Sequence, residues 1–90
     1  MDKYNFEQEV DNICDDIAYM LKEKNKAYGN SALDPVKIFA KSDAEEQLAV
    51  RIDDKLSRIA RGREYPGDDT INDLIGYLVL YKIQRKYNDV

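Results

Sequence analysis

Arg51, Lys55 and Arg58 recur at helical spacing within Arg51-Ile52-Asp53-Asp54-Lys55-Leu56-Ser57-Arg58, and Asp69 and Asp73 follow, one turn apart, across a short connection. Cations so spaced share one side of a helix and can grip a phosphate, and carboxylates facing them can hold the oxygen-seeking Mg²⁺ that accompanies phosphorylated ligands. Arg51, Lys55 and Arg58 are therefore candidate ligand-binding residues, and Asp54, Asp69 and Asp73 are candidate metal ligands. The plainer reading of the same residues is a set of intrahelical ion pairs, because Asp54 lies three residues from Arg51 and four from Arg58. Such pairs contribute about 0.2 to 0.5 kcal/mol each. With no histidine and a single cysteine, Cys14, the chain lacks the commonest general base and cannot form an internal disulfide or a cysteine-rich zinc site. Any metal must be held by oxygen.

A second candidate segment is Lys26-Ala27-Tyr28-Gly29-Asn30-Ser31. Its tyrosine offers a ring to stack on a base, and its amides and hydroxyl can meet phosphate or sugar, with Lys24 and Lys26 just upstream. Lys26, Tyr28 and Asn30 join the ligand-binding candidates, against the plainer reading of an ordered turn between helices. Tyr65, Tyr77 and Tyr81 are further stacking candidates, with core packing the default for Tyr77 and Tyr81.

These side chains must be positioned by helices. Phe6, Val10, Ile13, Cys14, Ile17 and Leu21 follow a spacing of three and four, which predicts a first helix ending near Lys26 with one buried stripe. Its other face carries Glu7, Glu9, Asp11, Asp15 and Asp16 and reads as solvated. Gly29 and Asn30 tolerate the left-handed backbone that ends a helix. Asp34-Pro35 has the form of an N-cap followed by proline at the first helical position, predicting a short helical turn through Val36, Ile38 and Phe39. Ser42-Asp43-Ala44-Glu45 has capping-box spacing and predicts a second long helix to about Ala60, with Gly62 just past its end and Leu48, Ile52, Leu56 and Ile59 as its buried stripe. Pro66 and Gly67 mark a tight connection, after which Asp68 or Asp69 can cap a third long helix reaching about Tyr87. This helix is apolar around much of its girth, so it is expected to be central or to lie at a subunit interface. Gly76 within it costs about 1 kcal/mol relative to alanine, which implies that a helix or a ligand comes close at that point. The predicted fold is all-α: three long helices and one short one in a single bundle domain, the second and third long helices side by side as an antiparallel hairpin.

Composition narrows the partners. A 90-residue chain of 43% hydrophobic content suits one domain. Chains of this size bury only about 60 to 65% of their unfolded surface, so a homo-oligomer is expected. A net charge of −4, from 14 basic and 18 acidic residues, argues against a duplex nucleic-acid partner. No apolar run approaches the roughly 20 residues of a membrane span, and Met1 to Asn5 has neither the basic start nor the apolar core of a signal peptide. A cytoplasmic protein without a membrane partner is expected.

The set Lys26-Ala27-Tyr28-Gly29-Asn30-Ser31, Arg51-x-x-Asp54-Lys55-x-x-Arg58, and Asp69 with Asp73-Leu74-Ile75-Gly76-Tyr77 resembles the nucleotide-modification-associated family of small bacteriophage and prophage proteins. That resemblance implies an all-α fold, a role connected to nucleotides and, for a phage-encoded chain, the host cytoplasm. More distantly, the arrangement is similar to the all-α nucleotide pyrophosphohydrolases of the MazG and dimeric dUTPase type, whose metal site uses Glu-x-x-Glu on one helix and Glu-x-x-Asp on the next. This chain departs from that pattern: Glu45 and Glu46 are adjacent, and Asp73 follows Asp69 by four positions where the family has three. The sequence therefore leads to the expectation of a protein that binds a phosphorylated nucleotide or nucleotide-derived signal in a cleft between the second and third long helices, sequestering it in an anti-defence role. The competing expectations are a Mg²⁺-dependent nucleoside triphosphate pyrophosphohydrolase and a helical interaction module whose charges are only structural.

Overall fold

The computed structural model describes residues 5–29, 31–34, 42–62, 67 and 69–88. They form an all-α bundle of three helices: α1 (Phe6–Tyr28), α2 (Ala44–Arg61) and α3 (Thr70–Asn88), with no strand among them. The short helix expected through Val36, Ile38 and Phe39 lies outside the described residues, as do Asn30 and Tyr65. Among the described residues, no helix is long and apolar enough to cross a membrane.

Each helix starts where a short polar side chain can satisfy an orphan amide. Asn5 accepts from the Gln8 N–H at 3.1 Å and opens α1. Asp43 accepts from Glu46 N–H at 2.9 Å and opens α2, and Asp69 accepts from Asn72 N–H at 3.0 Å ahead of α3. The cap of α2 is thus Asp43, one residue beyond the expected Ser42. Its carboxylate also suits the positive end of the helix dipole, and the freed Ser42 carbonyl accepts from the Gln47 side-chain amide at 2.8 Å. The ends of α1 and α2 are set by Gly29 (φ 61°) and Gly62 (φ 67°), left-handed positions that glycine fills without strain. Because nothing before Gly29 interrupts the hydrogen-bond ladder, α1 runs on past Lys26 to Tyr28. Tyr28 is therefore a helical residue, in line with Ile17, Leu21 and Lys24.

α3 is the central element. It lies antiparallel to α2, joined at one end by Lys55 Nζ to Asp73 Oδ2 at 3.4 Å and at the other by the Tyr81 hydroxyl, which donates to Glu45 Oε1 at 3.2 Å. α1 packs on α3 and, among the described residues, not on α2. A Cβ placed on Gly76 would stand 3.1 Å from Met20 Cε and 3.2 Å from Leu21 Cδ2, so the glycine lets α1 seat against α3. Of the two explanations for Gly76, helix packing is the one realised.

Two expected stripes are buried only in part. Ile17 is buried in α1, while Phe6, Val10, Ile13 and Cys14 are exposed. In α2, Leu48 is buried, but Leu56 is 49% exposed and Ile59 is exposed as well. The covered line of α2 is Ala44, Leu48, Ile52 and Lys55, whose spacing of four, four and three keeps them over one another, while Arg51 is exposed beside it. The expected stripe holds through Leu48 and Ile52, and Lys55 takes the covered place expected of Leu56.

Candidate functional site

Because α1 and α2 both lean on α3 without meeting, a cavity of about 420 Å³ opens between them. α3 is its floor, through Asp73, Gly76, Tyr77 and Leu80, a run at i, i+3, i+4 and i+7 that presents one helix face. Met20, Leu21, Lys24, Asn25 and Tyr28 form the α1 wall, continued by Ser31 and Ala32. Gln47, Leu48 and Arg51 form the α2 wall. The volume is within the range of small-molecule sites, which run from about 300 to 1,000 Å³. An apolar bottom and a charged rim suit a ligand with one flat apolar part and one anionic part.

Asp73 ties the three helices together. Its Oδ1 stands 3.6 Å from Lys24 Nζ of α1 and its Oδ2 3.4 Å from Lys55 Nζ of α2. The Lys55 side chain is only 12% exposed, far less than its neighbour Leu56, and a lysine that deep must be paired because desolvation disfavours its charge. The Arg51 guanidinium lies over the Tyr77 ring at 5.9 Å, the outer limit of a cation–π contact. Among the described residues, Arg51 has no carboxylate partner. Lys24 and Lys55 meet the carboxylate of Asp73 and Arg51 stands on the same cavity wall over Tyr77, a local excess of positive charge in a chain of net charge −4.

The residues singled out from the sequence divide into those the fold gathers and those it sends elsewhere. Tyr28, Arg51 and Asp73 line the cavity, and Lys55 lies behind Asp73. Arg58 pairs with Asp54 at 3.3 Å along α2, the intrahelical contact of the plainer reading. Lys26 pairs with Glu23 on the exposed side of α1 at 3.3 Å. Asp69 caps α3. The three aspartates proposed for Mg²⁺ thus have separate partners, and among the described residues no three metal-capable side chains converge.

Lys24, Asn25 and Gln47 complete the site without having been singled out as ligand-binding candidates. Lys24 lies seven positions after Ile17 and three after Leu21, so the stripe that seats α1 also aims this lysine inward. Carrying the apolar register of α1 through its last turn finds it. Gln47 and Asn25 carry no such signal, because which polar neighbour of a stripe meets a cavity depends on how the helices cross. No family model matches the chain, and neither the curated proteins nor the solved structures give a match. What the site does must be read from its own side chains.

Proposed function

We propose that this protein binds a phosphorylated nucleotide, or a signal derived from one, in the cavity between α1, α2 and α3, and holds it without turning it over. The observation that carries the proposal is Arg51: a guanidinium on the cavity wall, set over Tyr77, with no carboxylate partner among the described residues and with Lys24 and Lys55 nearby. Guanidinium and ammonium groups together favour an oxyanion such as phosphate. The Tyr28 ring at the rim can stack on a base, an interaction worth about 1 to 3 kcal/mol where measured in single-stranded nucleic-acid complexes. Asn25 and Gln47 add amide groups able to meet sugar or base edges. The resemblance to nucleotide-modification-associated phage proteins points the same way, and sequestration is the role that fits a site with cations and rings.

Pyrophosphate hydrolysis is the weaker reading on geometry. It needs carboxylates converging on a metal and an oriented water. Asp54, Asp69 and Asp73 are engaged by Arg58, the Asn72 N–H and two lysines respectively. Calorimetric titration with a panel of linear and cyclic nucleotides, each with and without Mg²⁺ and with pyrophosphate followed in parallel, tests the proposal. The expected result is saturable binding of at least one nucleotide that persists in chelator, with no pyrophosphate formed. Binding that requires Mg²⁺ and is followed by pyrophosphate release would replace sequestration by hydrolysis, and no binding across the panel would leave the interaction module.

A further inference from the structure

α1 carries one apolar stripe and uses only its C-terminal half. Ile17 is buried and Met20 and Leu21 close on Gly76, while Phe6, Val10 and Ile13, in the same line, are 60%, 43% and 53% exposed. α3 has a matching bare face. Ile71 and Leu78 are 53% and 48% exposed, and their spacing places them on the side of α3 turned away from Asp73 and Tyr77. That face continues into Lys82 and Lys86, both exposed. Two half-used apolar faces on one small chain are more than scattered surface residues.

Charge decides which faces meet. From Phe6 to Leu21 α1 carries Glu7, Glu9, Asp11, Asp15 and Asp16 and no cation, so two copies of α1 laid together would repel. The face of α3 with Lys82 and Lys86 has the opposite sign.

We propose that the chain forms a two-fold homodimer in which the N-terminal half of each α1 lies along the outer face of the partner's α3, placing Phe6, Val10 and Ile13 over the Ile71 and Leu78 stripe, with the acidic flank of α1 beside Lys82 and Lys86. Such an isologous contact is made twice and covers both bare faces in each protomer. The proposal is independent of the nucleotide reading, because the outer face of α3 is opposite the cavity floor.

Sedimentation equilibrium on the full chain at micromolar concentration tests it. The wild type is expected to be a dimer, and Val10→Asp and Leu78→Asp, both at exposed positions, are each expected to give a monomer with unchanged helical circular dichroism. The pair Lys82→Glu with Lys86→Glu should raise the dissociation constant at least tenfold, and adding Glu9→Lys and Asp16→Lys should recover most of that loss. A monomeric wild type would overturn the proposal. So would a dimer indifferent to Leu78→Asp, or one readily closed by a disulfide between the two Cys14 residues, which would place α1 against α1.

Discussion

Lys55 and Leu56 are neighbours with inverted fates: the lysine is nearly covered and the leucine is half exposed. The inversion arises because Asp73, fixed on the central helix, attracts Lys55 from one side and Lys24 from the other. Asp73→Asn should then have two effects of opposite sign. Leaving Lys55 without its carboxylate costs about 1 to 3 kcal/mol, the range for a covered charged group losing its hydrogen-bonding partner, and urea unfolding measures that loss. The same change removes the anion that competes with a ligand phosphate, so nucleotide affinity by calorimetry should rise severalfold. A site in which Asp73 held Mg²⁺ would lose affinity instead. At Asp69 the cap can be separated from a metal role in the same way. Asp69→Ala should lower stability by about 1 kcal/mol and Asp69→Asn by only a few tenths, since asparagine caps as well as aspartate. Thermal melts with and without Mg²⁺ should show no metal-dependent difference between the two.

Gly76 sets the spacing of the helices. An added methyl at this position would gain up to about 1 kcal/mol of helix propensity but would press on Met20 Cε and Leu21 Cδ2 at 3.1 and 3.2 Å. Met20 is flexible enough to yield. Gly76→Ala is therefore expected near neutral, and Gly76→Leu to cost about 1 to 3 kcal/mol by overpacking and to weaken nucleotide binding as α1 is pushed from the floor. Denaturant titration and calorimetry on the two variants check the order. At this scale the sequence is informative: the three helices, the glycine stops after α1 and α2, and the central place of α3 are all legible from periodicity and capping residues. Their rotation is less so. Leu48, Ile52, Leu56 and Ile59 mark an apolar line in α2, yet past Ile52 it is Lys55 and not Leu56 that is covered, because the charge on Asp73 and the crossing of α1 at Gly76 are long-range facts that a local stripe does not carry. For the same reason Lys26 and Lys24 could not be ranked by proximity to the Tyr-Gly segment. Only the helical register of α1, continued to Tyr28, turns Lys24 inward and Lys26 out.

For the whole molecule, Ile17, Ala44 and Leu48 are the buried hydrophobic residues among those described, a thin core for a chain of 90 residues. Stability then depends on what covers the bare faces of α1 and α3, and association that accompanies folding makes the melting temperature rise with protein concentration. A series of melts across a hundredfold dilution should show that rise for the wild type and lose it for Leu78→Asp. The cavity lies on the other side of α3, so ligand binding in this variant should survive wherever the protomer stays folded. The proposed nucleotide site is tested most directly by recovering what it holds. The full chain is mixed with a binding nucleotide, passed through a desalting column and heat-denatured, and the released small molecule is identified by mass spectrometry, with Arg51→Ala in parallel. The expected result is the intact nucleotide from the wild type and a loss of about ten- to a hundredfold in affinity for Arg51→Ala, as for a charged hydrogen bond worth about 1.5 to 3 kcal/mol. Recovery of hydrolysis products, or equal retention by Arg51→Ala, would contradict a binding site built on this arginine.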